Sequence, residues 1–81
     1  MGRYYFHLKD GDEMIPDEDG TELQDVAAAT REALRSAREL LADAIKAGKP
    51  KIYDAFVIAD EAGRTVEVLP FAALLPEPLK K

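Results

Sequence analysis

The stretch "RYYFHLKDGDEMIP", residues 3–16, decides how the rest of the chain is read. Its alternation sets Tyr4, Phe6 and Leu8 on one face and Tyr5, His7 and Lys9 on the other, the period of a β-strand. Asp10-Gly11 follows, a dipeptide suited to a two-residue hairpin because both central positions of a type I′ turn need positive φ. A turn centred there sets Lys9 opposite Asp12, Leu8 opposite Glu13, His7 opposite Met14 and Phe6 opposite Ile15. The Lys9–Asp12 pair then joins opposite charges across the strands, worth about 0.2–1 kcal/mol. Pro16 has no N–H to give a ladder, so the second strand is short and lies at a sheet edge. The first strand must take its other neighbour from later in the chain.

That neighbour comes after a helix. From residue 23 or 25 to 47, Val26, Ala29, Ala33, Ala37, Leu40, Leu41, Ala44 and Ile45 recur at helical spacing. Arg31, Glu32, Arg35, Arg38, Glu39, Asp43 and Lys46 fill the opposite arc. Thr21 with Gln24, or Asp25 alone, caps the start; Gly48 supplies a left-handed stop and Pro50 blocks continuation. An apolar stripe so rich in alanine lets the helix backbone lie close to its partner, which is read as a sheet.

After the linker "KPKIYD", "AFVIAD" is apolar on both faces and makes a central strand, whereas "RTVEVLP" alternates and suits an edge. Asp60 and Gly63 in the connecting "EAGR" region fit a type I turn with a bulge. "PFAALLPEPLKK" adds one helical turn before a frayed end. The expected fold is α+β: a ββαββ chain forming a four-stranded antiparallel sheet in the order 2-1-3-4, with one long helix on one face. Residues 1–75 form the single domain and 76–81 a flexible tail.

Composition narrows the function. At 81 residues the chain is one domain, and folding removes roughly 60–65% of its unfolded surface, so stability rests on one compact core. Cysteine is absent, which excludes a disulfide framework, a zinc ribbon or a thiol nucleophile and permits a reducing compartment. No apolar segment approaches the ~20 residues of a membrane span and the N-terminus has no apolar signal core, so a soluble, cytoplasmic protein is expected. Sixteen acidic against eleven basic residues give a net charge of −5, which disfavours nucleic-acid backbones and anionic membrane surfaces alike.

Candidate chemistry is sparse. His7, the one histidine, is the natural acid–base group, but no serine, cysteine or second histidine is placed to complete a constellation, and a structural role is expected. Eight carboxylates lie between Asp10 and Asp25 with no base until Arg31. Calcium-loop spacing fails in either register. Aligning Gly20 with the invariant glycine puts Ile15 and Val26 at the first and twelfth ligand positions, and aligning Gly11 puts Leu8 at the third. Glu22 and Asp25 instead favour the positive end of the helix dipole. Arg31, Arg35 and Arg38 share a line on the helix, yet Glu32 and Glu39 alternate with them as ordinary i,i+3 and i,i+4 partners. No catalytic, cofactor-binding or metal-ligating residue is assigned. The acidic N-terminal third stands against a segment from 31 to 51 that holds six basic residues and three acidic ones, a polarity able to steer a partner.

The run "RYYFHL", then "DEDG", "LQDVAAATREAL" and "VIADEAGRTVEVLPF", resembles a family of short uncharacterised proteins catalogued as a domain of unknown function and common in rhizobia and related alphaproteobacteria. The resemblance extends to about Phe71 and implies a bacterial origin and this architecture; it carries over no functional residue. Two readings of function remain. One is a small interaction or regulatory module without catalytic activity; the other is a nucleic-acid-associated regulator that stacks bases on its aromatic strand face. The first would work through the sheet face away from the helix, through the edge strands or through the acidic hairpin, and the second through the aromatic strand; alternation sends Tyr5, His7, Met14, Val57 and Ala59 to the face away from the helix. That face is expected to meet a second copy or another protein, unless residues 71–75 fold back across it.

Overall fold

The computed structural model describes residues 2–48 and 53–74. The elements in chain order are β1 (Gly2–Asp10), β2 (Glu13–Ile15), β3 (Thr21–Leu23), α1 (Val26–Ala47), β4 (Ala55–Ala59) and β5 (Thr65–Pro70), closed by a 3₁₀ turn at Phe71–Leu74. The α+β fold holds: an antiparallel sheet ordered β2-β1-β4-β5, with α1 packed on one face. The expected order survives with one addition. β3, read from sequence as the approach to the helix, pairs with the first half of β1 through Tyr4↔Thr21, Arg3↔Glu22 and Gly2↔Leu23. β2 and β3 thus share one edge of β1, and residues 16–20 bridge the gap between them.

The hairpin register differs from the expected one. Leu8 stands opposite Ile15, Lys9 opposite Met14 and Asp10 opposite Glu13, so the two central turn residues are Gly11 and Asp12. Gly11 has φ 62° and, among the described residues, none other than glycine has positive φ, so Asp12 does not share it, the pattern of a type II′ turn. Moving the turn one residue along spares Asp10 a left-handed backbone. The new register is held from outside the hairpin by Asp54, whose carboxylate accepts from Gly11 N at 2.8 Å, and from within it by Lys9 Nζ, which donates to Gly11 O at 2.9 Å. The anticipated Lys9–Asp12 pairing is therefore replaced. Because the change keeps side-chain parity, Met14 stays on the face of Tyr5 and His7.

Asp25 alone caps α1, accepting from Ala28 N at 2.8 Å, while Thr21 is committed to β3. Gly48 ends the helix in the left-handed region as expected, with its N–H directed to Ala44 O and Ile45 O; Pro50 and the linker residues 49–52 lie outside the described residues. Ala29, Ala33, Ala37 and Leu41 pack with Phe56, Ile58 and Phe71 to form the core. Val26 and Ile45 fall outside it, Ile45 being 68% exposed. Each step of four advances about 40° around a helix with 3.6 residues per turn, so a buried row spaced by fours drifts off the sheet by Ile45, and Ala44 takes the inward position.

β4 is central and buried along its whole length, and the Asp60 turn forms as read: Gly63 N donates to Asp60 O, and Asp60 N to Arg64 O. β5 carries a bulge opposite Ile58/Ala59. Phe71 turns to the helix side, where it is almost fully buried, 5.3 Å from the Phe56 ring and edge-on to Tyr53. Residues 71–74 therefore do not fold back over the opposite sheet face: a helix lined with alanine leaves a space beside the sheet that a large ring fills. Leu75 and residues 76–81, where the flexible tail is expected, lie outside the described residues.

Candidate functional site

The sheet face away from α1 is built by cross-strand register. Tyr5 stands beside Ala59, His7 beside Val57 and Lys9 beside Ala55; on the other side of β4, Val57 stands beside Val68, Ala55 beside Pro70 and Ala59 beside Thr65. Side chains directly opposite one another share a face. Along β4 that face carries Ala55, Val57 and Ala59, all buried although no second layer among the described residues covers them. Ala55 and Ala59 are shorter than their neighbours on both sides and Val57 is shorter than His7, so β4 floors a shallow groove about 16 Å long. Tyr5, His7 and Lys9 wall one side of it, and Thr65, Val68 and Pro70 the other.

Register brings Tyr5, His7 and Val57 together as expected. Met14 lies one strand out, beside Lys9, and is 49% exposed; Val68, on the far wall, is 48% exposed and was not singled out from sequence. The Tyr5 and His7 rings are stacked, 6.3 Å between centroids and 13° between planes, and both are only half-buried.

The acidic loop is the part of the site that sequence reasoning missed. Continuous pairing onward from Leu8↔Ile15 would set Asp19 opposite Tyr4, yet Thr21 stands there, so residues 16–20 carry two residues more than the ladder needs. Asp17 fills the resulting gap. Its Oδ2 accepts from Phe6 N at 3.1 Å, taking the place of a strand carbonyl, and its Oδ1 accepts from Asp19 N at 3.3 Å and Gly20 N at 3.2 Å. Its own N–H donates to His7 Nδ1 at 3.0 Å, which requires a neutral imidazole with a free lone pair on that nitrogen. Arg3 closes the far end, donating to Asp19 O at 3.0 Å and lying 3.6 Å from Glu22.

Gly20 has φ 72°, and a Cβ there would lie 2.8 Å from both Arg3 Cγ and Tyr5 Cε2, so only glycine lets the loop press onto the β1 side chains. The sequence signal was the spacing of "DEDG": an aspartate followed two and three residues later by N–H groups it can cap, ending on a glycine free to turn.

Burial works against the Asp17 charge, but the N–H groups of Phe6, Gly20 and Asp19 outweigh it and hold the carboxyl below its ordinary value of 3.8. Both Asp17 oxygens and His7 Nδ1 are already occupied by backbone donors. A histidine beside an aspartate suggests acid–base chemistry, yet here the pair is spent on anchoring a loop. Among the described residues no group of three or more His, Cys, Asp or Glu could hold a metal ion, and no polar or charged side chain is buried. No described helix is long and apolar enough to cross a membrane.

A family model described as Domain of unknown function (DUF6894) matches residues 3–72. No curated protein and no solved structure matches the chain.

Proposed function

The chain belongs to this family of unknown function, and from its surfaces we propose that it is a small interaction or regulatory module, without catalytic activity of its own, whose groove on the uncovered sheet face receives another protein chain. The observation that carries this reading is the groove. An apolar floor of Ala55, Val57 and Ala59 lies between walls that expose Val68 and, just outside, Met14. Apolar area in that arrangement favours being covered, and a second copy of the chain or a different protein can cover it. The residues proposed to make the contact are Tyr5, His7, Met14 and Val57, with Val68 added. No cofactor enters the proposal. A bacterial, cytoplasmic setting belongs to it on the strength of the N-terminal pattern and the lack of cysteine.

The alternative role at single-stranded nucleic acid is weaker. Asp17, Glu18 and Asp19 lie in the loop that presses on Tyr5 and His7, so phosphates would meet negative charge at the rings that base stacking requires.

The test compares wild type with the double variant Met14→Glu, Val68→Glu. Light scattering up to high micromolar concentration reads self-association, and affinity capture from the native cell followed by mass spectrometry reads other partners. The proposal expects a dimer or a captured protein that the double variant loses while its melting curve is unchanged. A wild type that stays monomeric and captures the same proteins as the variant would overturn it.

A further inference from the structure

Residues 16–20 are held over β1 by hydrogen bonds of which one can be switched. From this arrangement we propose that the segment is a strap, kept closed by neutral His7 and released from the imidazole when His7 takes up a proton. The bond from Asp17 N to His7 Nδ1 runs toward a ring nitrogen that accepts only while unprotonated. A proton on Nδ1 sets two N–H groups against each other at 3.0 Å, and the bond cannot persist in that geometry.

The charged groups around His7 do not restore it. Asp17 attracts an imidazolium, but its carboxylate already accepts three backbone N–H groups, and Nδ1 points to the Asp17 amide. Lys9, next on the same face of β1, opposes the added charge; Tyr5 stacks on the ring; Val57 of β4, its cross-strand partner, is neutral. Glu18 and Asp19 extend the loop into solvent, and Arg3 is engaged by Glu22 and by Asp19 O at the far end. Any rearrangement that brings the imidazolium to the Asp17 carboxylate also breaks the present bond.

Two features suit the segment to such movement. No ladder pairing joins residues 16–20 to β1, so once the imidazole bond opens the segment is tied to the strand only through Asp17 Oδ2 on Phe6 N and Arg3 on Asp19 O, and its extra length lets it shift without pulling on β2 or β3. Protonation thus frees the His7 ring, part of one wall of the groove, from its tie to the strap. The device does not depend on the groove having an occupant.

Amide hydrogen exchange by NMR on the full chain tests it, with the His7 ring resonances followed in the same samples. Over the range in which histidine changes charge, about pH 8 to pH 5, protection of the Asp17 amide, corrected for intrinsic exchange, should fall by about tenfold, the loss expected from one hydrogen bond. The fall should track the ring resonances, while the helix amides keep their protection. His7→Asn keeps an oxygen where Nδ1 was and takes up no proton, so it should hold the strap through the same range. Protection that persists after the ring has titrated, or an equal loss in His7→Asn, would overturn the proposal. Should His7→Asn fail to fold, the wild type decides alone: a loss that follows the carboxylates at lower pH rather than the ring is equally fatal.

Discussion

Asp17 shows how one side chain can take the place of a missing strand. Its carboxylate supplies the acceptor that Phe6 N would have found in a continuous ladder, and it also ties the loop to itself through Asp19 N and Gly20 N. Replacing it with alanine leaves the half-buried Phe6 N–H unpaired, and Asp17→Ala should cost about 2 kcal/mol at neutral pH, read as a lowered urea midpoint with unchanged slope. The pH dependence follows from the direction of the shift. A carboxyl held below 3.8 in the folded state favours the deprotonated protein, so its contribution is complete above that value and is lost as pH falls through the lowered one. Asp60 acts in the same sense, held down by the Arg64 N–H. Wild type should therefore lose thermal stability more steeply than Asp17→Asn as pH is lowered from about 5 to 2. Parallel curves for the two proteins would mean that the carboxylate charge contributes nothing.

At the scale of the element, α1 is defined by what it lacks. Ala29, Ala33 and Ala37 are fully buried where most amphipathic helices place leucine, so side-chain volume is supplied from the sheet side by Phe56 and Ile58 and from the chain end by Phe71. Ala37→Leu inserts three carbons into a closed interface and should destabilise by about 1–3 kcal/mol despite the excellent helix propensity of leucine. A neutral or stabilising effect in chemical denaturation would show that the helix can move outward and that its close approach is not enforced. On the outer surface, Arg35 pairs with Glu32 and, at 3.2 Å, with Glu39. Such exposed pairs contribute a few tenths of a kcal/mol, and they account for two of the acids that alternate with the arginine line.

For the whole molecule, the two sides of the sheet are unequal. Among the described residues, all the large buried rings lie on the helix side, and the other side is a groove shielded by its own walls and by the 16–20 segment. In a domain of 81 residues, where total stability is only a few kcal/mol, loss of one large core group is a large fraction of the whole. Phe71→Ala should cost about 3–5 kcal/mol and leave the protein largely unfolded at 37 °C by circular dichroism. That loss would come from the helix-side core, so it would say nothing about cover for the groove. A variant that melts within a few degrees of wild type would mean that the 3₁₀ turn contributes little to the core.

Local chemistry was enough to read the elements whose partners lie within a few residues. The period of "RYYFHL", the alanine stripe, the Asp25 and Gly48 stops and the Asp60 to Arg64 turn each rest on backbone preferences and neighbouring side chains, and these do not change when the chain folds. The antiparallel order followed, because a short hairpin, a helix and a second hairpin leave few ways to bury one apolar face. What remained hidden depends on residues distant in sequence. The turn register was settled by Asp54 reaching Gly11, the site of Phe71 by the space an alanine-lined helix leaves, and the strand at Thr21–Leu23 by the open edge of β1. The roles of Asp17 and Gly20 were decided the same way. An aspartate in an acidic run looks solvated until folding brings an unpaired N–H and an imidazole lone pair to it, and only the tertiary structure could supply both.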